Sequence, residues 1–426
     1  MPPACRVYNV ITEIAGSYNG QREWRGVKIL HVIGSVDPRG GGTTNYVFSS
    51  AEVWARHGHE CHILSLDSPN DSCVLRSSQV IFAIGPQRAQ HSMVRRLLPF
   101  LRYGYTGNLV KWLNKNAQNY DAVILNGLWN YTSYGTWRAL RKLNVPYFVC
   151  PHGMLDPWLQ EAHPTSHFVK TVFWRLFESK VVRDARGIFY ACEEERNLAQ
   201  AFVSKSKCRE FVAGYGAQDV LGDANAQKAL FLSKFPTLKE RKLIVFVSRI
   251  HPKKGLDLLI KAFARQSRDF PEFDLLIAGP DQVGLTPQLI EIAAQLGIEK
   301  RIHWPGMLSG DEKWGAFRMA AFFVLPSHQE NFGIAVIEAM ALGVPVLITK
   351  KVNIWHEVQL SGSGHVVLDD VDDIGRGLRY FCSLAPDQLQ DIGVKARSCF
   401  ERQFDLEKNA LEIINLMTET LSNNKH

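Results

Sequence analysis

Residues 321–349 read AFFVLPSHQENFGIAVIEAMALGVPVLIT. AFFVLPS is an apolar run closed by a proline and a serine, as expected of a short buried strand. After it, Ile334, Ile337 and Ala341, with Val336 and Met340, recur at helical spacing, and Gly343-Val344-Pro345 supplies the glycine and proline that stop a helix. VPVLIT is the next strand-like run. Strand, loop, helix and strand in this order make one unit of a parallel α/β sheet.

The unit repeats outward from this stretch. Upstream lie LIVFVS (243–248), a helical LDLLIKAFARQ, FDLLIAG, a helical PQLIEIAAQLG and RIHWPG. An earlier series begins at VKILHVIGSV (27–36), passes through the loop DPRGGGTT and the helical NYVFSSAEVWARHG, and continues with ECHILSL, DAVILN (121–126), VPYFVC (145–150) and GIFYAC (187–192). Between the two series, YGAQDVLGDANAQK is polar and glycine-containing, a linker near residues 215–228. The expectation is an α/β protein of two doubly wound, Rossmann-like domains, 1–222 and 223–404, followed by a terminal helix over 405–426. Residues 1–26 show no periodicity and read as an extension. In such sheets ligands sit at the carboxyl ends of the strands, here in a cleft between the domains.

The 426 residues suffice for two cores, and the net charge of +7 is unevenly spread. From Ser72 to Tyr120 there is no acidic residue, while Arg76, Arg88, Arg95, Arg96, Arg102, Lys111 and Lys115 all fall there. Within it, MVRRLLPFLRYGY mixes basic with apolar and aromatic residues, as a face toward an anionic membrane or substrate does, and as a solvated helix face also does. No nucleic-acid-binding motif accompanies the charge, so nucleic acid is not an expected partner. Eight cysteines without a C-x-x-C pair read as reduced cysteine in a cytoplasmic protein. The N-terminus lacks the apolar core of a signal peptide, and no run reaches the roughly 18–20 apolar residues of a spanning helix, so any membrane contact is peripheral.

Four loops after strands carry candidate chemistry. Gly40-Gly41-Gly42 lets backbone approach a diphosphate, or forms a flexible turn. His152, between proline and glycine after VPYFVC, is poised toward the cleft to exchange a proton or a hydrogen bond, or to cap the strand. Arg249 and Lys254 flank the turn after LIVFVS, where two cations can stabilise a diphosphate leaving group. In the opening stretch Glu330 and Glu338 are eight residues apart, about 12 Å along a helix, too far to share a proton. They suit the two ends of an elongated ligand with hydroxyls at each end. Asn331-Phe332-Gly333 between them opens the helix, where free N–H groups favour phosphate. A nucleotide sugar has this form. The alternative is a Glu338 that reaches solvent or pairs with a lysine.

Together, S-R-x-x-x-x-K-G, S-x-x-E-N-F-G-I-x-x-x-E-A-M-A-x-G-x-P-V, the G-G…G-H start and P-H-G-M-L resemble the retaining GT-B glycosyltransferases of family GT4, over most of the chain from about residue 27. The resemblance implies that Glu330 contacts donor-sugar hydroxyls and that the backbone of Asn331, Phe332, Gly333 and Ile334 holds sugar and phosphate. Glu338 would bind ribose hydroxyls, and Arg249 and Lys254 the diphosphate, with Gly41 and Gly42 approaching from the other domain. Met307 and Leu308 would lie at the nucleobase, and His152 near the transferred sugar. The last helix is expected to cross back to the N-terminal domain. The first domain then takes the acceptor and the second the donor. One departure is GYGAQD, where relatives often carry Asn-Gly-Val/Ile-Asp.

The implied reaction moves a hexose from a nucleoside diphosphate sugar, with UDP the family preference, to a glycan or lipid-linked glycan of polysaccharide assembly, with retained anomeric configuration. No cofactor or metal is expected. Asp370-Val371-Asp372 has a D-x-D spelling but stands where acids cap a helix. Two other readings stay open. One is a sugar-nucleotide epimerase or phosphorylase of the same architecture, the other a non-catalytic nucleotide-sugar-binding subunit.

Overall fold

A computed structural model describes residues 26–38, 41–85, 104–157, 171–204 and 208–422. The extension up to residue 25, Gly40 of the glycine loop, and Arg88, Arg95, Arg96 and Arg102 of the basic stretch lie outside these residues.

Two parallel sheets account for both strand series. The first contains β1 (Lys28–Ile33), β2 (Glu60–Ser65), β3 (Ile81–Ala83), β4 (Ala122–Asn126), β5 (Tyr147–Cys150), β6 (Gly187–Tyr190) and β7 (Glu210–Val212), in the order β3-β2-β1-β4-β5-β6-β7. The second contains β8 (Lys242–Val247), β9 (Phe273–Ala278), β10 (Ile302–Gly306), β11 (Ala320–Leu325), β12 (Val346–Thr349) and β13 (Gly364–Val367), in the order β10-β9-β8-β11-β12-β13. Central strands such as β4 and β9 are buried along their whole length, because helices cover both faces of a parallel sheet. This is the GT-B architecture. Three strands, β3, β7 and β13, are absent from the sequence reading. All are edge strands of three or four residues and mostly half-buried, too short to show a period.

The chain crosses between the sheets twice. Ala217 N–H donates to Phe404 O, and Leu406 N–H donates to Ala217 O, so the outgoing and returning segments lie hydrogen-bonded side by side. Gly216 is required by this approach, since a Cβ there would stand 2.4 Å from Leu406 Cα. The GYGAQD wording thus fits a close double crossing. The returning helix, Leu406–Ser422, packs on the first-domain helix Gly42–Arg56. Trp54 Nε1 donates to Ala410 O at 2.8 Å, and Glu407 meets both Arg56 and His57 at 2.8 Å.

Candidate active site

On the second sheet, the loops after β8 and β11 are stitched together. The short turn Pro252–Lys254 is capped by His251, whose Nδ1 accepts from Lys253 N–H at 3.1 Å. His328 N–H then donates to Lys253 O at 2.8 Å. Glu330 is pinned on both sides, its N–H donating to Lys351 O at 2.9 Å and its C=O accepting from Asn353 N–H at 3.0 Å. This brings the buried Lys254 ammonium onto the Glu330 carboxylate as an ion pair. Arg249 is exposed, its nearest polar partner Gln282 at 3.4 Å.

Gly333, at φ 71°, opens the helix Ile334–Ala341, and Phe332 turns its buried ring against Tyr215 and Phe404. Glu338 is half-buried and faces Lys313 of the neighbouring helix Gly310–Arg318, Nζ to Oε1 at 2.8 Å. Lys313 also lies 3.9 Å from the Trp314 ring centre. The lysine partner is therefore present, and the ribose role implied for Glu338 requires Lys313 to share or yield it. Met307 is exposed and Leu308 buried at the start of the same region. The D-x-D spelling caps a helix: Asp370 accepts from Asp373 N–H at 2.8 Å, and Asp372 pairs with Arg265.

On the first sheet, Gly41 and Gly42 open the helix Gly42–Arg56, and a Cβ on either would meet nothing within 4 Å. The space above them is open. His152 and Gly153 follow β5 with φ of 53° and 75°, a left-handed pair that turns the chain sharply. A Cβ on Gly153 would stand 2.6 Å from Asn331 Cγ, so this glycine allows the two domains to meet beside Asn331. Gln329 Nε2 likewise reaches Asp156 across the cleft at 3.2 Å.

The half-buried His152 ring lies between Tyr46 and Tyr215, with centroids at 5.3 and 5.1 Å. Its Nε2 stands 3.1 Å from Asn126 Oδ1. Burial, with nearby His31 adding to it, pushes the His152 pKa down to about 3. The ring is neutral near pH 7, so of the roles open to it a hydrogen bond fits and a standing positive charge does not. Glu195 secures the same turn from the helix Glu193–Val203: its carboxylate accepts from Gly153 N–H and, at 2.7 Å, from Ala191 N–H. Burial raises Glu195 to about 7, against the pull of those two N–H groups.

His31, Tyr46, Asn126, Glu195, Tyr215 and Lys313 were not singled out by the sequence reading. Asn126 and Glu195 could have been sought, since each polar side chain ends or follows an apolar strand run at the cleft side. Tyr46, Tyr215 and Lys313 carry no such local signal.

Two family models cover this arrangement. Residues 41–210 match the glycosyl transferase 4-like domain, and residues 229–398 match the glycosyl transferases group 1. The chain is 31% identical to the D-inositol 3-phosphate glycosyltransferase of Mycolicibacterium smegmatis over 318 residues, 72% of this chain and 70% of that one. Among solved structures it is similar to the sucrose-phosphate synthase of Thermosynechococcus elongatus, at 19% identity and TM-score 0.73 over 93% of this chain and 100% of that one. It is also similar to Anabaena HepE solved in complex with UDP, at 17% identity and TM-score 0.72 over 92% and 100% of the two chains.

Proposed function

The chain belongs to the group 1 glycosyl transferases, and on that premise we propose that it moves a hexose from a UDP-sugar to a hydroxyl of a glycan or lipid-linked glycan, retaining the anomeric configuration. The observation that carries this reading is the pinned Lys254–Glu330 pair beside the exposed Arg249. The two charges satisfy each other. A bound donor separates their tasks: the diphosphate draws Lys254 and Arg249, and sugar hydroxyls donate to Glu330. As the bond from the anomeric carbon to the diphosphate oxygen breaks, charge grows on that oxygen, where the two cations and the N–H groups at the start of Ile334–Ala341 favour it. The acceptor hydroxyl attacks from the same face and passes its proton to the departing diphosphate. UDP as carrier is supported by the complex described for HepE.

The exposed Lys111 and Lys115 on the helix Gly107–Asn116 support contact with an anionic lipid surface, each adding about 1 kcal/mol near such a surface. No helix among the described residues is long and apolar enough to cross a membrane.

The test of the transfer reading is a screen of nucleotide sugars for slow donor hydrolysis, followed by NMR of the first-formed anomer. UDP-hexose turnover with retained configuration is expected. Inverted product, or epimerisation without release of UDP, overturns it.

A further inference from the structure

We propose that Asn126 is a positioning residue that fixes which ring nitrogen of His152 carries the proton, leaving His152 Nδ1 as a hydrogen-bond acceptor for a substrate hydroxyl. The argument begins in the register of the first sheet. His31 of β1 lies opposite Ile124 of β4, and Asn126 lies two residues further along, so His31 and Asn126 share a sheet face. Asn126 Nδ2 stands 3.0 Å from His31 Nδ1, 3.2 Å from Ile124 O and 3.4 Å from Val32 O. Carbonyl oxygens only accept, so the amide nitrogen belongs at that end, and a flipped amide would set its oxygen against two others.

Two consequences follow. His31 Nδ1 accepts from Asn126, so the His31 proton sits on Nε2. That atom is buried without a hydrogen-bond partner, in a ring stacked on Trp54 with centroids 5.2 Å apart. At the other end, Asn126 Oδ1 accepts, so His152 Nε2 donates and Nδ1 keeps its lone pair. A buried orphan N–H is an unfavourable way to build a core. It is intelligible if the His31 lone pair is needed to hold the Asn126 amide.

Several ionisable groups face this array: His31 from β1, Tyr46 from the helix Gly42–Arg56, Cys150 from β5, Tyr215 from the crossing segment, and Glu195 through Gly153 N–H. Burial holds both tyrosines well above their usual range and Cys150 at about 12, so none of the three is charged near neutrality. Glu195 is the one carboxyl among them.

The inference rests on the transfer reading only for what Nδ1 meets. The tautomer itself is read without donor or acceptor, so either can fail alone. The full chain, labelled with nitrogen-15 histidine, is examined by long-range proton–nitrogen NMR, with His152 assigned through its loss in His152→Gln. The expected native ring is neutral, with the proton on Nε2, across about pH 5 to 8. In Asn126→Asp, a carboxylate of the same shape accepts from both rings. His31 then moves its proton to Nδ1, and His152 becomes protonable near neutrality. Its turnover should gain an acid limb of about tenfold per pH unit, because protonation removes the acceptor. A native His152 protonated on Nδ1 overturns the proposal, whether or not the variant folds. So does a folded Asn126→Asp whose introduced carboxyl is ionised and which keeps the native tautomer and the native pH profile.

Discussion

At the carboxyl end of the second sheet, Lys254 holds Glu330 and Lys313 holds Glu338. At the same end of the first sheet, His31, Asn126 and His152 form an uncharged file enclosed by Tyr46 and Tyr215. Both faces must keep polar groups ready in the absence of a ligand. One does so with charge neutralised by charge, which a ligand can exchange. The other uses buried dipoles whose orientation is set in advance. An exchangeable pair suits a diphosphate that arrives and leaves with its own charge. A fixed neutral array suits hydroxyls, for which direction matters more than charge.

The contrast can be broken most directly at Lys254. Lys254→Met should lower donor turnover by about 100- to 1,000-fold if the lysine stabilises the leaving diphosphate. The double variant Lys254→Met/Glu330→Gln should recover stability without recovering turnover, since the lone Glu330 charge is gone. Near-native turnover in Lys254→Met removes the leaving-group role. Glu338→Gln comes next: it should weaken UDP by about 1–3 kcal/mol, with turnover at saturating donor little changed. Glu330→Gln should do the reverse, leaving UDP affinity nearly intact while lowering kcat. Calorimetric titration of UDP alongside donor kinetics separates the two glutamates, and equal loss of UDP binding in both reverses their assignment.

The neutral face makes its own prediction in pH. His31 and His152 are both held near pKa 3, below an unfolded value of about 6.5. Their contribution to stability is complete above about pH 6.5 and is lost as pH falls, because the unfolded chain binds their protons first. Glu195, raised to about 7, acts oppositely: its contribution is complete below about pH 4.5 and is lost as pH rises toward 7. Denaturation midpoints should therefore be nearly level around pH 7 and fall below about pH 6, more steeply under pH 4.5. A midpoint that rises steadily on acidification would contradict the buried neutral histidines. The smallest expected effect is none: donor turnover should persist in excess EDTA, with Arg249 and Lys254 supplying the positive charge. Loss on chelation with rescue by Mn²⁺ or Mg²⁺ removes that account.

What the sequence discloses follows the same division. Glu330, Glu338, Arg249 and Lys254 stand out because a charge beside an apolar strand or within an apolar helix breaks a pattern that can be read along the chain. The central strands are legible for the same reason, being runs with little else in them. Lys313 is 25 residues from Glu338, and nothing between them says they meet. Asn126 closes an apolar run and His31 interrupts one, yet the tie between them comes from sheet register, which depends on the whole of β1 lying beside β4. The edge strands owe their existence to neighbours, and their own residues are too few to announce them.

The indole of Trp54, fully buried under Ala410, puts a clock into the making of this protein. These two residues are 356 positions apart. At about 5–20 residues per second, roughly 20–70 s of translation separate them. For that interval the first sheet is on its own, and the Trp54 indole N–H lacks its Ala410 acceptor. The first sheet thus gains this contact only after the second has left the ribosome. A nascent chain paused between the two sheets would offer chaperones an aromatic handle that the finished enzyme hides.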